Sequence, residues 1–269
     1  MMMKTNPLLT LRTATLGGLL ATFLSSCSNT SSDGSDNTSS RRGLLSSSKS
    51  DDNSGGGGPQ AKGIDVSDNV GTVDWTQVKA DGYTFALVKA TDGVSLPSAV
   101  EYFNATWPKM KAAGTIRGAY HFYESADDPV AQANYFTSTL ANAGGLQAGD
   151  LPPVLDFERA TSGANVMKFL KQVEANTGRT PIIYVNESFA SSYLTDPEFA
   201  NYPLWLAEYK VTTPKVPATW QNAGKSWTFW QWNEAGAVAG VAGGSGQTDL
   251  DWFNGDASEL ASFIASTIR

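Results

Sequence analysis

From Ala61 onward, short apolar runs alternate with amphipathic segments. Gly63 to Ser67 reads as a strand that ends in polar residues, and Phe85 to Thr91 is almost continuously apolar, as a strand buried on both faces should be. Ile116–Tyr123, Pro152–Glu158, Pro181–Asn186, Leu204–Tyr209, Trp227–Trp232 and Thr248–Phe253 complete a set of eight candidate strands. Helix signals fall between them. Asp74 caps a short helix from Trp75 to Ala80 that Gly82 closes, and Phe103 to Ala113 is helix-like up to Gly114. Asp128-Pro129 opens a helix through Leu140 to Gly144, with proline at its first turn. A further helix runs from about Ala164 to Asn176 before Gly178, and Ala257 to Thr267 closes the chain. This rhythm predicts parallel strands in one α/β domain. Eight strands predict a single (β/α)8-like, TIM-type barrel whose last strands are poor in helices, with its active site at the strands' C-terminal ends.

The chemistry is densest in Pro152-Pro153-Val154-Leu155-Asp156-Phe157-Glu158. Two prolines exclude a helix interior. On a strand, Asp156 and Glu158 share one face, with Cα atoms about 7 Å apart. Two carboxylates that close cannot ionise independently, so one pKa is pushed up. A protonated acid beside an ionised one is suited to cleaving a glycosidic bond. Other polar and aromatic residues fall at the ends of the predicted strands: Asp65, His121 and Tyr123, Tyr184 and Asn186, Glu208 and Tyr209, Gln231, and Asp249. Trp205, Trp227, Trp230 and Trp232 lie close together in sequence, and flat aromatic faces stack on sugar rings as readily as they fill cores. Trp230 and Trp232 share a strand face, and one of them is expected to line a groove. His121, a lone histidine in an apolar strand, is expected to be structural.

Before the barrel the chain changes character. Lys4 and Arg12 precede an uncharged, mostly apolar run from Thr13 to Leu24, too short to span a bilayer and suited to a signal peptide. The run ends in Leu24-Ser25-Ser26-Cys27, which resembles the lipobox of bacterial lipoproteins, and Cys27 is the chain's only cysteine. Residues 1–27 are therefore expected to be a lipoprotein signal peptide, with Cys27 lipidated and the mature protein anchored to the cell envelope by acyl chains alone. In a cell with two membranes, the following Ser28 resembles the signals that sort lipoproteins to the outer one; without the anchor the protein would be secreted. Residues 28–60 are rich in Ser, Gly, Asn and Asp, with Gly55 to Gly58 in a row, and read as a disordered linker. Its end-to-end distance would be on the order of 30 Å.

That leaves residues 61–269 as the barrel domain. It holds 14 Lys and Arg against 22 Asp and Glu, a net of −8. Nucleic acid binding needs a basic footprint, so that partner class is excluded. The domain has one His and no Cys, which rules out disulfides, a multi-histidine metal site and a cysteine nucleophile. Neither metal nor organic cofactor is expected, since two carboxylates and a water suffice for glycoside hydrolysis. A monomer is expected.

Taken together, Gly-Ile-Asp-Val-Ser at 63–67, Phe-Ala-Leu-Val-Lys-Ala-Thr at 85–91, Gly-Ala-Tyr-His-Phe at 118–122 and Val-Leu-Asp-Phe-Glu at 154–158 resemble the family 25 glycoside hydrolases, the Chalaropsis-type lysozymes. Pro-Ile-Ile-Tyr at 181–184, Leu-Trp-Leu-Ala at 204–207, Trp-Gln-Trp at 230–232 and Asp-Leu-Asp at 249–251 extend the likeness over nearly all of the domain. The resemblance implies a muramidase that hydrolyses the β-1,4 bond between N-acetylmuramic acid and N-acetylglucosamine in peptidoglycan strands. By position, Glu158 is similar to the general acid. Asp156 is similar to its partner, which either stabilises positive charge on the sugar or orients the substrate's own acetamido group. Asp65 and Asp249 match two further active-site acids, whose implied work is positioning and holding up the pKa of Glu158. The family's usual Asn is replaced by Asp251, which leaves open whether Asp249 or Asp251 faces the groove. Tyr123, Tyr184, Trp230 and Glu208 are the candidate sugar contacts. Two alternatives remain: a wall-binding barrel that has lost its chemistry, and a glycosidase acting on another N-acetylated glycan such as chitin.

Overall fold

The structure is a computed structural model that describes residues 58–243 and 246–269. The predicted signal peptide, Cys27 and the linker up to residue 57 lie outside the described residues.

Eight strands close into a barrel. In chain order the elements are β1 (Lys62–Val66), β2 (Thr72–Val73), α1 (Trp75–Ala80), β3 (Phe85–Asp92), α2 (Pro97–Ala112), β4 (Ile116–Phe122), α3 (Pro129–Asn142), β5 (Val154–Asp156), α4 (Gly163–Thr177) and β6 (Ile182–Asn186). Then follow α5 (Glu187–Tyr193), a 3-10 turn (Pro197–Asn201), β7 (Leu204–Ala207), α6 (Ala218–Asn222), β8 (Phe229–Gly236), β9 (Val241–Ala242), β10 (Thr248–Phe253) and α7 (Ala257–Ser266). Around the barrel the order is β1, β10, β8, β7, β6, β5, β4, β3, with β2 and β9 forming a separate two-stranded sheet.

The apolar runs are continuous because each strand is buried on both faces. On β3, Phe85 and Leu87 point into the barrel while Ala86, Val88 and Ala90 meet the helices. Ile182 and Tyr184 point inward on β6, with Ile183 and Val185 outward. Gly63 on β1 is required by this packing: a Cβ there would sit 2.3 Å from the Phe85 ring. At the N-terminal end of the barrel, Phe85, Phe229, Phe253 and Phe263 pack ring against ring, and Leu260 and Ile264 of α7 join the same core.

The helix signals act as the sequence suggests. The Asp74 and Asp128 side chains cap α1 and α3, Gly178 ends α4 in the left-handed region at φ 65°, and Asp256 with Glu259 forms a capping box on α7. The helix expected from Phe103 begins earlier, at Pro97, where proline suits the first turn. Two expectations are corrected. Strand Pro152–Glu158 shortens to Val154–Asp156, so Glu158 stands beyond the sheet. The all-parallel barrel holds for seven strands only, because β10 runs antiparallel to both β1 and β8. Among the described residues no helix, only the short β9, lies between β8 and β10, and a return without a crossover helix gives an antiparallel pair.

Candidate active site

The reversal of β10 builds the site. A strand running against its neighbours presents its N-terminal end where theirs present their C-terminal ends. Asp249, near the start of β10, therefore pairs with Asp65, near the end of β1. Asp156 ends β5, two strands from β3. The three acids meet at one mouth, around a cavity of about 260 Å³ lined also by Glu158, Glu234, Tyr120, Tyr184, Trp205, Tyr209 and Gln231.

Gln231 ties the walls together. Its amide Nε2 donates to Asp65 Oδ2 at 2.7 Å. Its Oε1 accepts the Tyr184 hydroxyl at 2.8 Å and the hydroxyl of Tyr209. The carbonyl of Asp65 accepts from Thr248 Oγ1 at 2.7 Å, locking β1 to the start of β10. Asp251, two residues on from Asp249 along β10, lies buried, with its Oδ1 accepting the Trp205 indole N–H at 2.9 Å. The open question between these two acids thus resolves: Asp249 lines the cavity and Asp251 does not.

Burial sets the electrostatics. Loss of water raises Asp65 well above the usual carboxylate range, with the charges of Asp249 and Asp251 adding to the lift. Asp156 is raised in the same way, first by burial and then by the neighbouring Glu158. Lys89, ion-paired to Asp68 at 2.8 Å, opposes that lift. Burial followed by the charge of Glu234 carries Asp249 up to about 7. Asp156 ends the strand inside the barrel, while Glu158 stands two residues beyond it and is exposed. Asp156 Oδ1 is buried and receives no hydrogen bond.

The sequence-predicted residues divide by strand parity. Asp65, Asp156, Glu158, Asp249 and Tyr184 come together at the cavity. Tyr123 does not: it lies on the outward parity of the β4 segment, fully buried against Phe157 and Phe169. Trp230 and Trp232 do share a face, but it is the outer one. Gln231 between them points in, while the Trp230 indole donates to the Glu208 carbonyl and Trp232 stacks on Trp252. Glu208 turns its carboxylate to the backbone N–H of Lys215. Tyr120 and Glu234 were not singled out in the sequence, while Trp205 and Tyr209 were noted only as an aromatic and a strand-end residue. Tyr120 carries a readable signal, since it lies two residues, one full strand repeat, from Gly118 on β4.

His121 is fully buried, stacked on Phe169 and bonded to Thr91 Oγ1 at 2.8 Å and Gln132 Oε1 at 3.1 Å. Burial lowers its pKa to about 4, so the ring is neutral and Nε2 donates to Gln132. Gln132 in turn holds the backbone of Glu124 and Asp127 in the loop after β4. The residue is a structural clamp. Among the described residues no three His, Cys, Asp or Glu side chains are grouped so as to hold a metal ion, and no helix is long and apolar enough to cross a membrane.

The family model for glycosyl hydrolases family 25 matches residues 64–241, which is most of this barrel. The chain belongs to that family. As a family 25 glycosyl hydrolase it is 35% identical over 223 residues to Lysozyme M1 of Streptomyces globisporus, covering 77% of this chain and 72% of that protein. It is 32% identical over 202 residues to the N,O-diacetylmuramidase of a Chalaropsis species, covering 66% of this chain and 90% of the other. The crystal structure of a bacterial lysozyme from Streptomyces coelicolor superposes with a TM-score of 0.69 at 34% identity, over 78% of this chain and 99% of that one.

The lifted Asp249 has a consequence for stability. Its folded value, about 7, lies above its ordinary 3.8, so folding binds its proton more tightly. The stabilisation this brings is full below the ordinary value and is lost as pH rises through the folded one. Asp249→Asn is therefore expected to melt above the wild type at about pH 8 and to lose that advantage as pH falls to about 4. Melting curves across this range check it; an equal difference at both ends contradicts the assignment.

Proposed function

We propose that this glycosyl hydrolase is a muramidase, cleaving the β-1,4 bond between N-acetylmuramic acid and N-acetylglucosamine in peptidoglycan. The observation that carries the reading is the pair of acids, Asp156 buried and Glu158 exposed, on the wall of one cavity at the barrel mouth. Relatives named as a lysozyme and an N,O-diacetylmuramidase support the choice of substrate.

In this reading Glu158, open to the groove, gives its proton to the leaving oxygen as the glycosidic C–O bond breaks. Water then supplies the hydroxyl to the anomeric carbon and returns a proton to Glu158, so the acid is regenerated. Asp156 works from the inside. Its buried, unpartnered Oδ1 suits an N–H donor from the substrate, and the acetamido group of the sugar is such a donor. Asp65 and Asp249, where ionised, give the cavity a negative field that favours the positive charge developing on the sugar ring. Tyr209, the half-buried aromatic of the cavity wall, offers ring surface to the sugar.

Glu158→Gln is expected to lower turnover on purified peptidoglycan by about 10²- to 10⁴-fold while the protein stays folded. Mass spectrometry of the products in heavy-oxygen water reads both the rate and the bond cut. Near-wild-type release of muropeptides would reject the acid role, and heavy oxygen on N-acetylglucosamine ends would reject the muramidase cut.

The leader and linker motifs support a cell-envelope location, with a lipid on Cys27 as the anchor. Cys27→Ser is expected to move the protein from the membrane to the soluble fraction of cells. Unchanged membrane association would count against lipidation as the tether.

A further inference from the structure

One buried acid at the site has no part in the reaction just described. Asp251 faces the barrel interior from β10, two residues from Asp249, and its side chain is fully buried. Its strand partner is Gly63, as Asp65 is the partner of Asp249. Asp65 and Asp251 are therefore diagonal neighbours on one face of the β1–β10 pair, both side chains buried.

The donors around this pair are accounted for. Trp205 Nε1–H donates to Asp251 Oδ1 at 2.9 Å, and Gln231 Nε2–H donates to Asp65 Oδ2 at 2.7 Å. Asp251 Oδ2 is buried and receives nothing. The charged groups that act on the two acids are Asp249 on β10 and Asp156 on β5, both of the same sign, with the Tyr120 hydroxyl of β4 facing Asp65. No Lys or Arg is among them. Two neighbouring carboxylates, out of water and without a cation, are not expected both to be ionised, and one proton between them relieves the repulsion. A buried carboxylate oxygen without a donor is costly, and the cost is removed if that oxygen carries the hydrogen itself.

We propose that Asp251 holds this proton on Oδ2 and donates it to Asp65, acting as a positioning residue for the cavity above. Asp65 then accepts from Asp251 and from Gln231, and Gln231 accepts from Tyr184 and Tyr209. One chain of hydrogen bonds thus runs from Trp205 through both acids to two side chains on the opposite wall. It fixes Asp65 in one orientation and keeps a single negative charge, rather than two, behind the groove. Burial, followed by the charge of Asp249, lifts Asp251 in the direction this arrangement needs.

The activity arm of the test rests on the muramidase reading; the spectroscopic arm does not. Asp251→Asn keeps a donor at the same place, because Trp205 continues to select the oxygen on the other branch. Asp251→Leu keeps the volume and removes the donor. The infrared spectrum of the wild type at neutral pH is expected to contain the carbonyl stretch of a buried, protonated carboxylic acid that Asp251→Asn lacks. Asp251→Leu is expected to lower kcat on peptidoglycan about 10²-fold, the scale of a misplaced active-site group, and Asp251→Asn to recover most of that loss. Circular dichroism confirms that each variant is folded. A wild-type spectrum with no band lost in Asp251→Asn would overturn the proposal, as would equal impairment of the two variants. Should no preparation hydrolyse peptidoglycan, the substrate reading fails and the infrared comparison alone decides the protonation.

Discussion

When β10 closes the barrel between β1 and β8, it carries Asp249 and Asp251 against Asp65, and the like charges cannot separate again without opening the sheet. The backbone pairing of a closed barrel leaves no edge and little freedom, so the acids answer by holding protons rather than by moving apart. That constraint links the fold to the chemistry. An all-parallel eighth strand would place the same residues at the opposite end, where β3, β4 and β8 begin. The reversed strand instead adds an acid to the mouth where Asp65, Asp156 and Glu158 already stand.

The two ends of the barrel divide the work accordingly. The N-terminal end is packed for stability: phenylalanine rings from β3, β8, β10 and α7 fill it. Near the start of β4, the buried Arg117–Asp150 pair, at 2.9 Å, is fixed by the Trp107 carbonyl and by Arg179 on the Asp150 carbonyl. These buried charges are each partnered, as burial requires. At the mouth the opposite holds. Oxygens of Asp156 and Asp251 lie buried without donors, and the acids far outnumber the cations. Carboxyls lifted by burial and by each other surround the place where Glu158 would meet the glycosidic oxygen.

Much of this was legible in the sequence, and the misses have physical reasons. Eight apolar runs with helix caps between them led to the barrel, because capping and two-sided burial are local signals. The direction of β10 was not local: nothing in Thr248–Phe253 encodes it, and only the lack of a helix before that strand hints at a direct return. Asp65, Asp156, Glu158 and Asp249 were singled out as acids at or near strand ends, and the structure brings all four to one cavity. Tyr123, Trp230 and Glu208 were misplaced because a strand end supplies both inward and outward residues, and aromatic character does not say which. Parity would have decided it: Tyr120 and Gln231 point in, so Tyr123 and Trp230, each an odd number of residues away, point out. Depth was also hidden. The pair Asp156 and Glu158 looked equivalent on an extended strand, but the strand ends at Asp156 and the two acids enter different solvents.

The most direct test of the account is carbon-13 NMR titration of the side-chain carboxyls in protein labelled at aspartate, with single Asp→Asn variants for assignment. The carboxyls of Asp65, Asp156, Asp249 and Asp251 are expected to keep their protons well above the ordinary 3.8, with Asp249 changing near 7. Four carboxyls that all ionise near 3.8 would show that the barrel mouth does not hold its acids out of water against one another, and the account would fail.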